Sequence, residues 1–167
     1  MFDADDPSIR DLVDLQRAAR RTAGVGWRTM GGALQFDIEG ISGEFAGFSG
    51  RNDVSRNYPS GVDGPPVAPP CSSNVIVPDP APPRGFRAND AENNMLEHLV
   101  SQLSTEFPVG PDGTNPVQGR VRMLSEQEPC ESCNPTIRQF QRMYPNLEVE
   151  VSYVLPYPPV QRNRPTL

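Results

Sequence analysis

Two cysteines with C-x-x-C spacing are the residues best suited to chemistry in this sequence. Cys130 and Cys133 follow Pro129 in the stretch Glu-Pro-Cys-Glu-Ser-Cys. On the first turn of a helix, positions i and i+3 share a face, and the positive helix end favours thiolates. Proline is tolerated where a helix begins, so Pro129 suits such a start. The spacing therefore predicts that two thiolates can bind zinc at a helix N-terminus.

A second chemical segment, Asp90-Ala91-Glu92, lies upstream of the cysteines. Two thiolates leave a zinc site short of ligands, so a third ligand must come from another part of the chain. Water can then fill the fourth position, and that open position distinguishes a catalytic zinc from a structural one. The segment supplies two carboxylates at the start of another predicted helix, and Asp90 is our preferred third ligand.

Together the two segments resemble the signature of zinc nucleobase deaminases, H-x-E followed by P-C-x-x-C. This chain reads D-A-E and then P-C-E-S-C, with aspartate in place of the histidine. It is similar to the cytidine deaminase superfamily, and within it to bacterial polymorphic-toxin deaminases, where aspartate or cysteine can replace that histidine. The resemblance is close over 88–154 and looser over 34–50. Residues after the motif add to it: Gln139, Phe140, Tyr144, Pro145 and Asn146.

The resemblance implies a site and a reaction. Asp90, Cys130 and Cys133 would bind Zn²⁺, and Glu92 would carry protons without binding the metal. The expected reaction is the hydrolytic deamination of cytosine to uracil in DNA. Single-stranded DNA is the expected substrate, because the target base must lie outside the stack.

A cytosine pocket needs an aromatic wall and polar groups that read the base edge. The candidates lie at the end of a predicted hairpin and just before the zinc motif: Phe48, Ser49, Asn52, Ser125 and Glu126. Ordinary turn and core roles are the alternative for these residues. Five arginines are candidates for phosphate contacts, with a solvated surface as the alternative: Arg84, Arg87, Arg120, Arg122 and Arg138.

Each site residue has a competing interpretation. The cysteines could form a redox C-x-x-C pair, although two neighbouring glutamates disfavour thiolates there. Asp90 is also a good helix N-cap, and Glu92 could simply stabilise the positive end of its helix. The rivals of Asp90 as third ligand are His98 and Cys71. His98 lies about 12 Å further along the same predicted helix, which makes it a poor co-ligand.

Two other functions remain open from the sequence. One is deamination of RNA or of free nucleosides, although the long segment before Asp90 favours a larger substrate. The other is a non-catalytic interaction module with a structural zinc, for which Cys71 would be the fourth protein ligand. The resemblance further implies a toxin domain of a larger secreted protein, a cognate immunity protein that blocks the site, and delivery into a competing cell. We expect a monomer that does not contact membranes.

Composition limits these possibilities. A chain of 167 residues is enough for one domain with a real core. The net charge of −6 argues against coating duplex nucleic acid by charge alone. The absence of a long apolar run and the acidic first residues predict neither a membrane span nor a signal peptide in this sequence. Three cysteines suit metal or redox use better than a disulfide framework.

Hydrophobic periodicity predicts the order helix, hairpin, helix, strand, helix, strand. The predicted helices cover about 6–21, 90–103 and 131–144, with Asp6 as the N-cap of the first. The predicted strands cover 34–38, 44–49, a stretch around 121–123 and 147–153, and residues 40–43 form the hairpin turn. A proline-rich loop spans about 51–88 and an irregular tail 156–167. The order fits a single deaminase-like three-layer α/β/α domain, 1–167, with a mixed sheet of four or five strands.

Overall fold

A central sheet organises the fold. The computed structural model describes residues 6–26, 29–49, 66–68, 76, 90–129 and 133–155. Its helices are α1 (Arg10–Thr22), α2 (Ala91–Glu106) and α3 (Cys133–Met143). Its strands are β1 (Gly31–Ile38), β2 (Ile41–Phe48), β3 (Gly119–Gln127) and β4 (Leu147–Leu155). In this described part of the chain, no helix has the length and apolar character needed to cross a membrane.

The strand order is β2-β1-β3-β4. Strand β1 is antiparallel to both of its neighbours, whereas β3 and β4 are parallel and are joined through α3. A parallel pair needs such a crossover, since a tight hairpin can join only antiparallel strands. The predicted α/β class with a mixed sheet is confirmed, and the sheet has four strands within the described residues.

The two faces of the sheet carry different helices. Alternate residues of a strand point to opposite faces, so each strand contributes to two cores. The larger core joins the sheet to α2 and α3 and includes Leu34, Phe36, Met95, Leu99, Val121, Met123, Ile137 and Phe140. The smaller core joins the other face to α1 and includes Leu12, Leu15, Ala33 and Leu124. This is the predicted three-layer arrangement.

The hairpin between β1 and β2 is tighter than the sequence suggested. The prediction of a turn over 40–43 is wrong, because Ile38 already pairs with Ile41. Only Glu39 and Gly40 form the turn, with φ angles of 42° and 91°. Two-residue hairpin turns favour positive φ, which matches the right-handed twist of the strands. Strand β2 therefore starts three residues earlier than expected, since 44 was the predicted start.

Helix α1 begins later than predicted. It starts at Arg10, and Asp6 is not its N-cap. The Asp6 carboxylate instead accepts hydrogen bonds from the backbone N–H of Ser8 at 2.9 Å and from its hydroxyl at 2.7 Å. Aspartate readily forms such local turns, which compete with helix initiation. The end of the helix is as predicted, with Gly24 in the left-handed region at φ 64°.

The proline-rich segment is attached to the fold at two described places. Ala46 of β2 donates to Pro66 O at 2.9 Å, and Ala68 N donates to Ala46 O at 2.7 Å. Ile76 is fully buried in the larger core, and its N–H donates to the buried carboxylate of Glu97 on α2. These contacts hold parts of the segment against the outer edge of β2 and against α2.

Candidate active site

The start of α2 carries two carboxylates two residues apart, those of Asp90 and Glu92. Asp90 occupies the N-cap position, but its side chain makes no capping hydrogen bond to the first turn, all of which the structure describes. The first N–H of the helix, that of Ala91, donates to Ser49 Oγ at 3.2 Å instead. Capping of α2 therefore does not account for the position of the Asp90 carboxylate.

Cys133, the first residue of α3, meets these carboxylates. Its Sγ lies 3.6 Å from Asp90 Oδ2 and 3.7 Å from Glu92 Oε2. The thiol is buried, with 6% of its surface exposed. The fold thus brings together the two segments that the sequence keeps far apart, at the N-terminal ends of two helices.

The sulfur of Cys133 and the oxygen of Asp90 are of the kinds that bind zinc in proteins. Bond lengths of about 2.3 Å to sulfur and about 2.1 Å to oxygen, at a tetrahedral angle, separate two ligand atoms by about 3.6 Å. The distance from Cys133 Sγ to Asp90 Oδ2 is 3.6 Å. Within the described residues, no group of three or more His, Cys, Asp and Glu side chains is arranged to hold a metal. Cys130, the further predicted ligand, lies outside those residues.

Glu92 is a buried carboxylate with one strong hydrogen bond. It is 7% exposed, and its Oε1 accepts a hydrogen bond of 2.7 Å from Ser125 Oγ. Burial raises the pKa of Glu92 above its ordinary value, and the charge of Asp90 adds to the rise, whereas the Ser125 hydroxyl opposes it. A carboxyl group with a raised pKa is suited to take up a proton near neutral pH.

The sheet holds the start of α2 closely. Asn94 Nδ2 donates to the Phe48 carbonyl at 3.1 Å, which ties the helix to the end of β2. Gly47 allows this approach, because a Cβ there would lie 2.5 Å from Met95 Cγ and 3.0 Å from the Ala91 carbonyl. A side chain at that position would push α2, and with it Glu92, away from the sheet.

Phe48, Ser49 and Glu126 of the predicted substrate pocket have structural partners. The Phe48 ring is 4% exposed and packs on the α1 face with Arg20, whose guanidinium carbon lies 5.3 Å from the ring centroid. Ser49 accepts the first N–H of α2. Glu126 Oε2 accepts from Arg20 at 2.7 Å and from the backbone of Gly31 at 3.1 Å. These contacts favour a supporting role over base recognition.

The remaining predicted residues are Ser125, Asn52, Cys71 and His98. Ser125 reaches the site and contacts Glu92, whereas Asn52 and Cys71 lie outside the described residues. His98 packs edge-on against Phe45, with ring centroids 4.7 Å apart, and its burial lowers its pKa. The His98 ring thus packs against an aromatic side chain, which disfavours His98 as the third zinc ligand.

The arginines predicted to contact phosphates have different surroundings. Arg120 pairs with Glu150 at 3.1 Å and Arg122 pairs with Asp11 at 2.6 Å, so both guanidiniums are neutralised by acids. Arg138 is exposed on α3, and Arg84 and Arg87 lie outside the described residues. Phosphate contact through Arg120 and Arg122 is therefore disfavoured.

Sequence reasoning missed Arg20, Gly47 and Asn94, which position the site from a distance. A signal for Asn94 was present in the sequence, because Glu92, Asn93 and Asn94 are three consecutive polar residues in a predicted helix. All three prove to be buried. Arg20 and Gly47 gave no such signal, because their roles depend on contacts between elements that are distant in sequence.

A family model described as "Toxin-deaminase: The BURPS668_1122 family of deaminases" matches residues 28–154. The chain belongs to this family. It is therefore a toxin-associated deaminase of the cytidine deaminase superfamily, as the two motifs indicated. The matched range contains the sheet, α2 and α3, whereas α1 precedes it. No curated protein and no solved structure matches the chain.

Proposed function

We propose that this chain is a zinc-dependent cytosine deaminase that acts on single-stranded DNA as a bacterial toxin domain. The convergence of Asp90, Glu92 and Cys133 at two helix starts carries the proposal. Asp90, Cys130 and Cys133 would hold the zinc ion. When bound, zinc supplies a water molecule that is activated for attack near neutral pH.

Glu92 moves the protons of the reaction. It takes a proton from the attacking water and passes it to N3 of the cytosine as the oxygen bonds to C4. It then takes the remaining proton from the hydroxyl group on C4 and delivers it to the amino group, so that the C4=O bond forms, the bond from C4 to nitrogen breaks and ammonia leaves. The product is uracil. The buried position of Glu92 suits this role, because burial raises the pKa of the carboxyl group and so helps it to hold a proton between the two transfers.

The exposed side of α3 supports a polynucleotide as the substrate. The helix contains no acidic residue over its whole length, although the chain carries a net charge of −6. Arg138 and Arg142 are exposed on it, and within the described residues neither forms an ion pair. They lie about 7.5 Å and about 13.5 Å along the helix axis from Cys133. A strand whose base enters the site can therefore place phosphates beside them.

Replacing both exposed arginines is expected to weaken binding of single-stranded DNA. For Arg138→Gln with Arg142→Gln, loss of two phosphate contacts should reduce the slope of log affinity against log salt by about 1.4. Fluorescence anisotropy with a labelled oligonucleotide over a salt series measures this slope. Zinc content should not change, because neither residue is near the ligand atoms.

The matched control is Arg17→Gln with Arg21→Gln on α1. These arginines have the same spacing and are also exposed, but α1 lies on the other face of the sheet and contains Asp11 and Asp14. The control removes the same charge from the protein. An equal change of slope in both double variants would contradict a specific path along α3.

The direct test of the function is a uracil-release assay with the zinc-loaded protein. We expect conversion of a cytosine-containing single-stranded oligonucleotide, revealed by uracil glycosylase cleavage, and little conversion of the matched duplex. Preferred conversion of RNA or of free cytidine would replace the substrate while keeping the reaction. Tightly bound zinc with no conversion of any substrate, and loss of that zinc in Cys71→Ser, would favour a structural zinc site.

The biological setting is part of the same proposal. Membership of a toxin-deaminase family supports a role in which the domain is delivered into a target cell and damages its DNA. A producing cell then needs a cognate immunity protein that blocks the site. Co-expression of such a protein should remove the growth defect caused by the active domain, whereas the Glu92→Gln variant should cause no defect.

A further inference from the structure

The two carboxylate oxygens of Glu92 have different neighbours. Oε1 accepts a hydrogen bond of 2.7 Å from Ser125 Oγ. Oε2 lies 3.7 Å from Cys133 Sγ, on the side of the candidate zinc ligands. One oxygen is thus held by a short hydrogen bond from a hydroxyl group, and the other has the longer contact with the Cys133 thiol.

Ser125 lies on β3, an interior strand of the sheet. It lies near the end of β3, where it pairs with Gly32 of β1 on one side and with Tyr153 of β4 on the other. Ser125 is buried, with 4% of its surface exposed. A hydroxyl group carried by an interior strand has little freedom to move, which is what a group that orients another side chain requires.

Without this hydroxyl, the end of the Glu92 side chain would be held less firmly, because its contact with Cys133 Sγ is longer, at 3.7 Å. The last torsion of a glutamate side chain is broad and has no strong preferred well. Rotation about it would move Oε2 away from Cys133 and would misalign the acceptor of the water proton. Misplacement of a reacting group by about 1 Å can lower a rate by about 100-fold.

We propose that Ser125 is a positioning residue that holds Oε1 of Glu92, so that Oε2 faces the attacking water and the base. The inference rests on the proposed function and adds to it a residue that acts through Glu92. This role differs from the substrate contact predicted for Ser125 from the sequence, because the hydroxyl donates to the Glu92 carboxylate.

The test is Ser125→Ala in the zinc-loaded full chain. We expect kcat on single-stranded DNA to fall about 10- to 100-fold, the loss that corresponds to a hydrogen bond to a charged group. KM and bound zinc should stay unchanged, because Ser125 neither binds the strand nor touches the metal. Ser125→Thr keeps a hydroxyl group and should retain more of the kcat than the alanine variant.

The matched control is Ser152→Ala. Ser152 lies on the neighbouring strand, pairs with Leu124 and is 2% exposed, so the substitution also removes a buried hydroxyl group. It belongs to the face that packs against α1 and has no contact with Glu92. An equal loss of kcat in both variants, or a change in KM alone, would overturn the role assigned to Ser125.

A second measurement separates this inference from the proposed function. Crystal structures of the wild type and of Ser125→Ala should show Glu92 in different orientations, with Asp90 and Cys133 in place. This comparison needs no activity, so it remains decisive even if no substrate is converted. An unchanged Glu92 side chain in the variant would overturn the inference, whereas an inactive wild type with bound zinc would overturn only the function.

Discussion

Glu92→Gln is expected to lower the rate of cytosine deamination by about 10²- to 10⁴-fold, the usual contribution of a general acid–base. Glutamine has nearly the same shape and keeps an oxygen that can accept the hydrogen bond from Ser125. It cannot take a proton from water or deliver one to the leaving amino group. The loss should therefore appear in kcat, measured by uracil release from single-stranded DNA, with bound zinc unchanged.

Glu97→Gln is the matched control for this variant. Glu97 lies on the same helix, is 3% exposed and accepts a hydrogen bond from the backbone of Ile76. The substitution is chemically identical, but it changes an anchor of the proline-rich segment and leaves the three site residues intact. A Glu92→Gln enzyme that retains the wild-type rate would remove Glu92 from the reaction. An equal fall in both variants would point to loss of folding.

The site was predictable from the sequence where chemistry and spacing act locally. A helix was predicted over 131–144, and α3 spans Cys133–Met143, whereas the place of Cys130 on its first turn stays a prediction because 130–132 lie outside the described residues. Asp90 and Glu92 were expected at the start of a helix, and α2 begins at Ala91. The alternation of apolar residues likewise located the strands, because one face of each strand must be buried.

Contacts between distant strands were not predictable. Ser125 reaches Glu92 only because β3 lies beside β1 in a register that pairs Ser125 with Gly32. A shift of one residue would point Ser125 at α1 and turn Glu126 towards the site, since neighbouring strand residues face opposite sides. Glu126 was therefore as plausible a pocket residue as Ser125 until the register was known. In the structure, its carboxylate contacts Arg20.

If Asp90 is the third zinc ligand, replacing it should lower the affinity of the protein for zinc. Asp90→Ala and Cys133→Ser should each lower zinc affinity by more than about 100-fold, beyond the 10- to 100-fold that loss of an outer hydrogen-bonding partner costs. Deamination should be lost with the metal. Asp90→His should instead keep zinc and activity, because it restores the H-x-E form of the deaminase signature.

Bound zinc after dialysis against a chelator, measured by atomic emission, tests these variants without reference to activity. His98→Ala is the control for Asp90, because His98 is the competing candidate on the same helix and packs against Phe45. Zinc retained by Asp90→Ala but lost from His98→Ala would transfer the ligand role to His98. We expect the opposite result, in which zinc is lost from Asp90→Ala and retained by His98→Ala. Asp90 Oδ2 lies 3.6 Å from Cys133 Sγ, and the Asp90 side chain makes no capping hydrogen bond to the described first turn of α2.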